Sequence, residues 1–233
     1  MNFRTYAELH CYLINRSYRN HQQFFATFLT ASDHGPYIVP NNIPFHPHSL
    51  PIEQQIVEYA DWSIGNFLRL ASQQQWFENT IFVFVADHGI GNENTYDIPL
   101  SFHHIPCIIF DMENDQPKEI ISLAGQVDVY PTIMGLLKVS YVNNSFGVDV
   151  LKENRDYIYF NNDDKLGCLS DSLFFIYRTN GGESLHKYHL YEITDCKNNF
   201  QREFDVMKIY SFSMIQATQW MIEQKKVHSF PIQ

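Results

Sequence analysis

An acid and an imidazole stand side by side at the end of an apolar run in the stretch "TIFVFVADHGIG". Asp87 and His88 follow the run directly, and Gly89 comes next, where it lets the backbone turn away. A carboxylate oxygen and an imidazole nitrogen are ligands that Zn²⁺ and Mn²⁺ accept. The alternative is that Asp87 caps the following segment and His88 is an ordinary surface residue. Their place at the end of a predicted buried strand favours the metal-ligand interpretation.

Two further groups of residues carry histidines next to apolar runs. Asp33 and His34 follow the run "QFFATFLTA". His34 could protonate a leaving oxygen or hold an anionic group, and the alternative is an Asx-type turn at Asp33 with a solvated His34. His103 and His104 precede the run "IPCIIF". Of this second pair, His104 is the stronger candidate for contacting a substrate.

A sheet is needed to bring these side chains together. The apolar runs at residues 23–31, 80–86 and 105–111 predict strands, and apolar positions at three- and four-residue steps in residues 52–75 predict a helix. This order predicts an α/β fold with a mainly parallel sheet and helices on both faces. Ligands of such sheets bind beyond the carboxyl ends of the strands, where Asp87 and His88 lie.

The sequence changes in character after about residue 155. The segments "DYIYF", "SLFFIYR" and "KYHLYEI" predict a small antiparallel meander, and residues 202–225 predict a terminal helix. We therefore predict a single α/β domain over residues 1–233. Its parallel part would cover residues 1–155, and its antiparallel strands and terminal helix would cover residues 156–233.

Composition excludes several classes of function. The net charge is −10 and no basic stripe is present, so no nucleic-acid binding is expected. No apolar run approaches the roughly 20 residues that span a bilayer. An anionic substrate would need a bound cation to supply the positive field.

The motifs, taken in order, resemble the sulfatase and alkaline-phosphatase superfamily. Within it they are most similar to lipoteichoic-acid-synthase-like proteins with a sulfatase domain, which are phosphoglycerol transferases and phosphatases. The resemblance covers roughly residues 20–180 and is carried by "FFATFLTASDHGPYIVP", "YADWSIGNFL", "FVFVADHGIG", "HHIPCIIF" and "GQVDVYPTIMGLL". It implies an alkaline-phosphatase-like fold.

The resemblance also implies roles for individual residues. It implies that Asp87 and His88 are metal ligands, with Mn²⁺ or Zn²⁺ as the metal and Ca²⁺ or Mg²⁺ as further candidates. It implies that His34 is catalytic and contacts an anionic ester or lipid-headgroup substrate, and we expect His104 to contribute to substrate binding. It further implies an extracytoplasmic location, periplasmic or at the cell surface.

In this family the nucleophile and the remaining metal ligands come from a strand and a helix near the N-terminus of the domain. Residues 1–20 do not match them. We therefore expect the C-terminal portion of a metal-dependent enzyme acting on phosphate or sulfate esters, without its nucleophile. Two alternatives stay open: a small metallohydrolase completed by His34 or His104, and a catalytically inactive binding or scaffold module that retains the fold. An exposed sheet edge favours self-association, so we expect some homodimer.

Overall fold

A computed structural model describes residues 6–19, 23–30, 34–92, 95–112 and 116–227. The chain divides into two compact units. The first comprises Met1–Val83 and Ile108–Gln116, and the second comprises Phe84–Cys107 and Pro117–Gln233. None of the helices in these described ranges is long and apolar enough to cross a membrane. The predicted organisation as a single domain stays a prediction.

The described elements begin with two helices, continue with short strands and helices in turn, and end with four consecutive strands and a long helix. The helices are α1 (Tyr6–Arg19), α2 (Ile52–Ala71), α3 (Leu100–His103), α4 (Val129–Leu136) and α5 (Gln201–Glu223). The strands are β1 (Phe82–Val85), β2 (Cys107–Phe110), β3 (Ile158–Asn162), β4 (Lys165–Leu169), β5 (Phe174–Arg178) and β6 (Gly182–His186). β1 and β2 form a two-stranded sheet, and β3 to β6 form a four-stranded sheet.

The first unit is built on two contacting helices and a group of aromatic rings. α1 buries Cys11 and Ile14, and α2 buries Ile56. The rings of Phe77 and Phe110 lie 5.3 and 5.9 Å from that of Phe82, within the range of favourable aromatic pairs. These rings hold the first half of β1 in place.

The four-stranded sheet of the second unit is an antiparallel meander. Ile158 of β3 lies opposite Leu169 of β4, which lies opposite Phe174 of β5, which in turn lies opposite His186 of β6. Gly181 has a φ of 93°, which glycine adopts without steric cost, in the turn between β5 and β6.

Both faces of this sheet are covered. On one face, Phe175 packs in a cluster with Phe204 and Met207 of α5. On the other face, Phe174 packs with Tyr96, which lies in the segment between β1 and α3. Successive side chains of a strand point to opposite faces, so β5 contributes to both cores.

The predicted mainly parallel sheet with helices on both faces is wrong for the part of the chain that the structure describes. The larger sheet there is the antiparallel one. Residues 23–30 form no strand, and Phe25 and Leu29 are 81% and 90% exposed. Val85 and Ile108 are exposed too, so β1 and β2 are not covered on both faces as predicted. A strand requires a hydrogen-bonding neighbour as well as apolar side chains. The residue types of one segment show its side chains but do not show whether another strand pairs with it.

The antiparallel strands and the terminal helix are present after residue 155. "DYIYF" and "SLFFIYR" correspond to β3 and β5, and the predicted terminal helix corresponds to α5. The strand predicted in "KYHLYEI" is wrong, because Tyr188–Leu190 is a 3₁₀ turn. The other two strands of the meander, β4 and β6, lie in segments for which no strand was predicted.

An ion pair fastens residues 95–98 to the sheet and should make stability depend on pH. Arg178 Nη2 donates to Asp97 Oδ1 at 2.7 Å, and this hydrogen bonding by Arg178 lowers the pKa of the Asp97 carboxyl. Because the pKa of Asp97 is lower in the folded protein than in the unfolded chain, the ion pair contributes its full stabilisation above the ordinary pKa of about 3.9. This stabilisation is lost as the pH falls through the pKa of Asp97 in the folded protein. Because Asp97 is 40% exposed, Arg178→Met should cost less than about 1 kcal/mol at pH 7.

Urea unfolding of the parent and the variant, at pH 7 and in steps below pH 4, measures this contribution. The two free energies of unfolding should converge as the carboxyl is protonated. A difference that stays constant down to the lowest pH at which the fold survives would show that the ion pair is not its source.

Candidate metal centre

The chain leaves β1 at Val85 and turns immediately. Ala86 N still donates to Pro106 O at 3.3 Å, and Asp87 and His88 follow. Their side chains are 79% and 55% exposed. The two residues therefore lie just beyond the strand with both side chains exposed, and their role as metal ligands stays a prediction.

The orientation of the His88 ring leaves one nitrogen free to bind a cation. His88 Nδ1 lies 2.9 Å from Gly89 O. A carbonyl oxygen only accepts, so Nδ1 carries the proton of the neutral ring and Nε2 carries the lone pair. A ring held in this way through its other nitrogen is the usual arrangement of a metal-binding histidine.

The Asp87 carboxylate faces the same nitrogen. Asp87 Oδ1 accepts from His88 N at 2.9 Å, and Asp87 Oδ2 lies 3.9 Å from His88 Nε2. Metal–ligand distances for such donors are about 2.0–2.2 Å each, so both atoms lie within reach of one cation, with an angle at the metal wider than tetrahedral. The donor types therefore suit a divalent cation, and their separation allows one.

The fit extends to two ligands. In the ranges that the structure describes, no group of three or more His, Cys, Asp or Glu side chains is placed to hold a metal ion. Catalytic zinc sites use three protein ligands and a water. The described residues thus offer part of such a site.

Helix α3 packs against the loop of residues 86–89, which follows β1 and carries Asp87 and His88. The ring of Phe102 stacks on that of His88, with centroids 4.6 Å apart and an interplanar angle of 17°. Gly89 N donates to Phe102 O at 2.8 Å. A Cβ on Gly89 would lie 2.1 Å from Ser101 O, so only glycine fits at this position without a shift of the main chain.

A side chain that sequence reasoning missed supports the loop from another direction. Gln126 Nε2 donates to Ala86 O at 3.0 Å and to Asp87 O at 2.7 Å. Gln126 opens the 3₁₀ turn Gln126–Asp128, which precedes α4. Gln126 lies in "GQVDVYPTIMGLL", one of the motifs that carry the family resemblance, and nothing else in the sequence pointed to it.

The turn that carries Gln126 is anchored by a buried ion pair. The Asp128 and Arg155 side chains are 2% and 8% exposed. Arg155 Nη2 and Nε donate to Asp128 Oδ1 and Oδ2 at 2.6 and 2.7 Å. Asp128 Oδ2 also accepts from Gly125 N at 2.9 Å, and Oδ1 accepts from Val148 N at 2.8 Å. The carboxylate is therefore fully partnered in a buried setting.

The two histidines before β2 differ in their surroundings. The ring of His103 stacks on that of Phe160 at 4.3 Å, and its Nε2 lies 3.2 Å from Asn162 Oδ1. Burial lowers the pKa of His103. His104 is exposed at the end of α3. The structure thus makes His103 a packing residue, and the substrate-binding role of His104 stays a prediction.

His34 lies in the first compact unit, whereas Asp87, His88 and His104 lie in the second. It is exposed, and its Nδ1 lies 2.8 Å from Gly35 O. Asp33, its predicted companion, falls outside the described residues. The catalytic and substrate-binding roles of His34 stay predictions.

A solved structure identifies the class of this fold. The chain is similar over 96% of its length, with a TM-score of 0.80 and 20% identity, to a protein of the alkaline phosphatase superfamily from Vibrio parahaemolyticus, and it covers 55% of that protein. At this identity the likeness shows the fold alone. The chain thus has the fold of part of an alkaline-phosphatase-superfamily protein.

Sequence comparison gives the family. The chain is 28% identical over 158 residues to lipoteichoic acid synthase-like YvgJ of Bacillus subtilis (strain 168), a match covering 58% of the chain and 25% of that protein. It is 27% identical over 119 residues to an arylsulfatase of Clostridium perfringens, with 44% and 25% covered. The matches thus span a quarter of the length of these curated relatives. The profile of the sulfatase family matches residues 4–139, and the chain belongs to that family.

Proposed function

We propose that the chain carries part of the metal site of a sulfatase-family enzyme that hydrolyses or transfers phosphate or sulfate esters. In this proposal Asp87 and His88 hold one divalent cation. The supporting observation is the 3.9 Å separation between Asp87 Oδ2 and Nε2 of His88, the ring nitrogen that does not face Gly89 O. The sulfatase family is typically metal-dependent.

The types of the donor atoms indicate which metals suit the site and what each residue contributes. One carboxylate oxygen and one imidazole nitrogen suit Mn²⁺ and Zn²⁺ better than they suit Ca²⁺ and Mg²⁺, because the latter two prefer oxygen ligands only. When bound, the cation supplies the positive charge that polarises an ester oxygen. Asp87 supplies a negative charge to retain the cation. His88 supplies a neutral nitrogen whose direction is fixed by Gly89 O.

The substrate is an anionic ester, and His34 and His104 are its proposed contacts. The names of the two curated relatives cover both ester classes, since one is lipoteichoic acid synthase-like and the other is an arylsulfatase. We favour a phosphoglycerol-type headgroup because the longer of the two matches is to the first of these proteins. An extracytoplasmic site of action is part of this proposal.

A second candidate function is a binding module that retains the fold without the chemistry. Two observations favour it. The described residues place two metal ligands together and not three, and Phe25 and Leu29 expose apolar side chains that would suit a protein partner.

A Mn²⁺ titration of the full chain separates the two candidates. Isothermal titration gives the dissociation constant, and paramagnetic broadening of the His88 ring protons locates the ion. We expect Asp87→Ala and His88→Ala to weaken Mn²⁺ binding at least about tenfold, because each removes one of two ligands. Asp61→Ala, which removes an exposed carboxylate of α2, is the control and should bind as the parent does.

Equal Mn²⁺ affinity in the Asp87→Ala and Asp61→Ala variants would contradict the metal role and favour the binding module. Circular dichroism of each variant confirms that the fold is retained. If the metal role holds, turnover of p-nitrophenyl phosphate against p-nitrophenyl sulfate by the full chain with Mn²⁺ tests the two ester classes.

A further inference from the structure

We propose that Gln126 is a positioning residue that sets the direction of the Asp87 carboxylate, and through it the affinity of the metal site. This inference deepens the proposed function and rests on it. The side chain amide of Gln126 reaches main-chain atoms 39 and 40 residues earlier in the chain. It touches neither metal-binding atom, so its effect passes through the backbone of Asp87.

The geometry of the contact shows what Gln126 holds. Its Nε2 donates to two consecutive carbonyl oxygens, those of Ala86 and Asp87. In a regular strand successive carbonyls point to opposite sides. One nitrogen can reach both only if the chain has already turned, so the amide fastens the turn that follows β1. The direction in which the Asp87 side chain leaves the backbone depends on that turn.

Gln126 is itself held by buried groups. It lies between Gly125, whose N–H donates to Asp128 Oδ2, and the buried Asp128. Asp128 is locked by the ion pair with Arg155. The amide therefore projects from a turn whose backbone is fixed, which is what a group that positions another residue requires.

The amide adds little to the stability of the fold. Gln126 is exposed, and both of its hydrogen bonds are solvent-accessible. The net contribution of such a hydrogen bond to the free energy of unfolding is small, because folding exchanges a hydrogen bond to water for one within the protein. Loss of the amide should therefore act on the loop and leave the core intact, and this separates positioning from a merely structural role.

Three substitutions of the full chain test the proposal. Gln126→Ala removes the amide, Gln126→Glu keeps its length and removes its donors, and Gln126→Asn shortens its reach. The control is Gln219→Ala, which removes an amide that bonds Glu223 on α5. The first readout is metal-free: backbone chemical shifts and amide hydrogen exchange at residues 86–89. The second is the Mn²⁺ dissociation constant, and the third is Tm.

We expect all three Gln126 variants to shift the signals of residues 86–89 and to weaken Mn²⁺ binding about 10–100-fold, as outer-shell changes do. Tm should fall by no more than about 4 °C, and Gln219→Ala should match the parent in the first two readouts. Unchanged signals at residues 86–89 would overturn the positioning role, and changed signals with Mn²⁺ affinity within twofold of the parent would overturn its link to the metal. If instead Asp87→Ala leaves Mn²⁺ binding intact, the proposed function fails, while the metal-free readout still decides whether Gln126 holds the turn.

Discussion

Arg155→Met should lower the free energy of unfolding by about 3–5 kcal/mol, the usual cost of leaving one charge of a buried pair without its partner. Asp128 would remain in a site that is 2% exposed, with the N–H groups of Gly125 and Val148 as its remaining partners. The carbonyl of Phe146 would also lose the donor that Arg155 Nη2 provides. Urea unfolding at pH 7 measures the loss.

Two controls separate the missing partner from the substitution itself. Adding Asp128→Asn to Arg155→Met should recover part of the loss, because asparagine keeps an acceptor oxygen and removes the buried charge. Arg178→Met breaks a pair that also uses two arginine nitrogens, but whose side chains are 23% and 40% exposed, and it should cost less than about 1 kcal/mol. If Arg155→Met costs no more than Arg178→Met, burial is not what makes the Asp128 pair important.

The helices show what periodicity can and cannot predict. α2 and α5 were predicted to within a few residues at each end because apolar residues recur at helical spacing over five or more turns. The sequence does not show which face of α5 is buried. Val206 and Ile209 are exposed, whereas Phe204, Met207 and Ser211 are buried. Apolar side chains lie all around this helix, so the sheet that it packs on decides which face is covered, and a single segment carries no information about that sheet.

Strand prediction failed for a related reason. Residues 23–30 and 80–86 were both predicted as strands from their apolar side chains, yet only the second contains a strand. The difference is a hydrogen-bonding neighbour: β1 pairs with β2 in a two-stranded sheet. In residues 23–30 the side chains of Phe24 and Phe28 lie against the rings of Trp76 and His10. That packing buries part of the segment without any strand ladder.

The candidate site divides in the same way between what sequence shows and what it hides. Asp87 and His88 were predicted as metal ligands because their types and their place after an apolar run favour that role. Gln126 was missed because its partners are main-chain carbonyls, which every residue has. The Asp128–Arg155 pair was missed because two charged residues 27 positions apart give no sign that they meet in the interior.

Gly89→Ala should disrupt the candidate metal centre, whereas Gly91→Ala should leave it nearly unchanged. A Cβ on Gly89 would lie 2.1 Å from Ser101 O, and a main-chain oxygen cannot rotate away as a flexible side chain can. The nearest atom to a Cβ on Gly91 is Phe102 Cβ at 3.5 Å, an ordinary van der Waals contact. The loop and α3 must therefore separate in the first variant only.

That separation would cost stability and geometry together. Overpacking of this kind costs about 1–3 kcal/mol, and moving the loop would break the hydrogen bond from Gly89 N to Phe102 O and the stacking of His88 on Phe102. We expect Mn²⁺ binding in Gly89→Ala to weaken at least about tenfold, as outer-shell losses do, with His88 ring signals shifted before any metal is added. Urea unfolding, ring chemical shifts and Mn²⁺ titration of both variants measure these effects. Equal behaviour of the two alanine variants would mean that contact with α3 does not hold His88 in place.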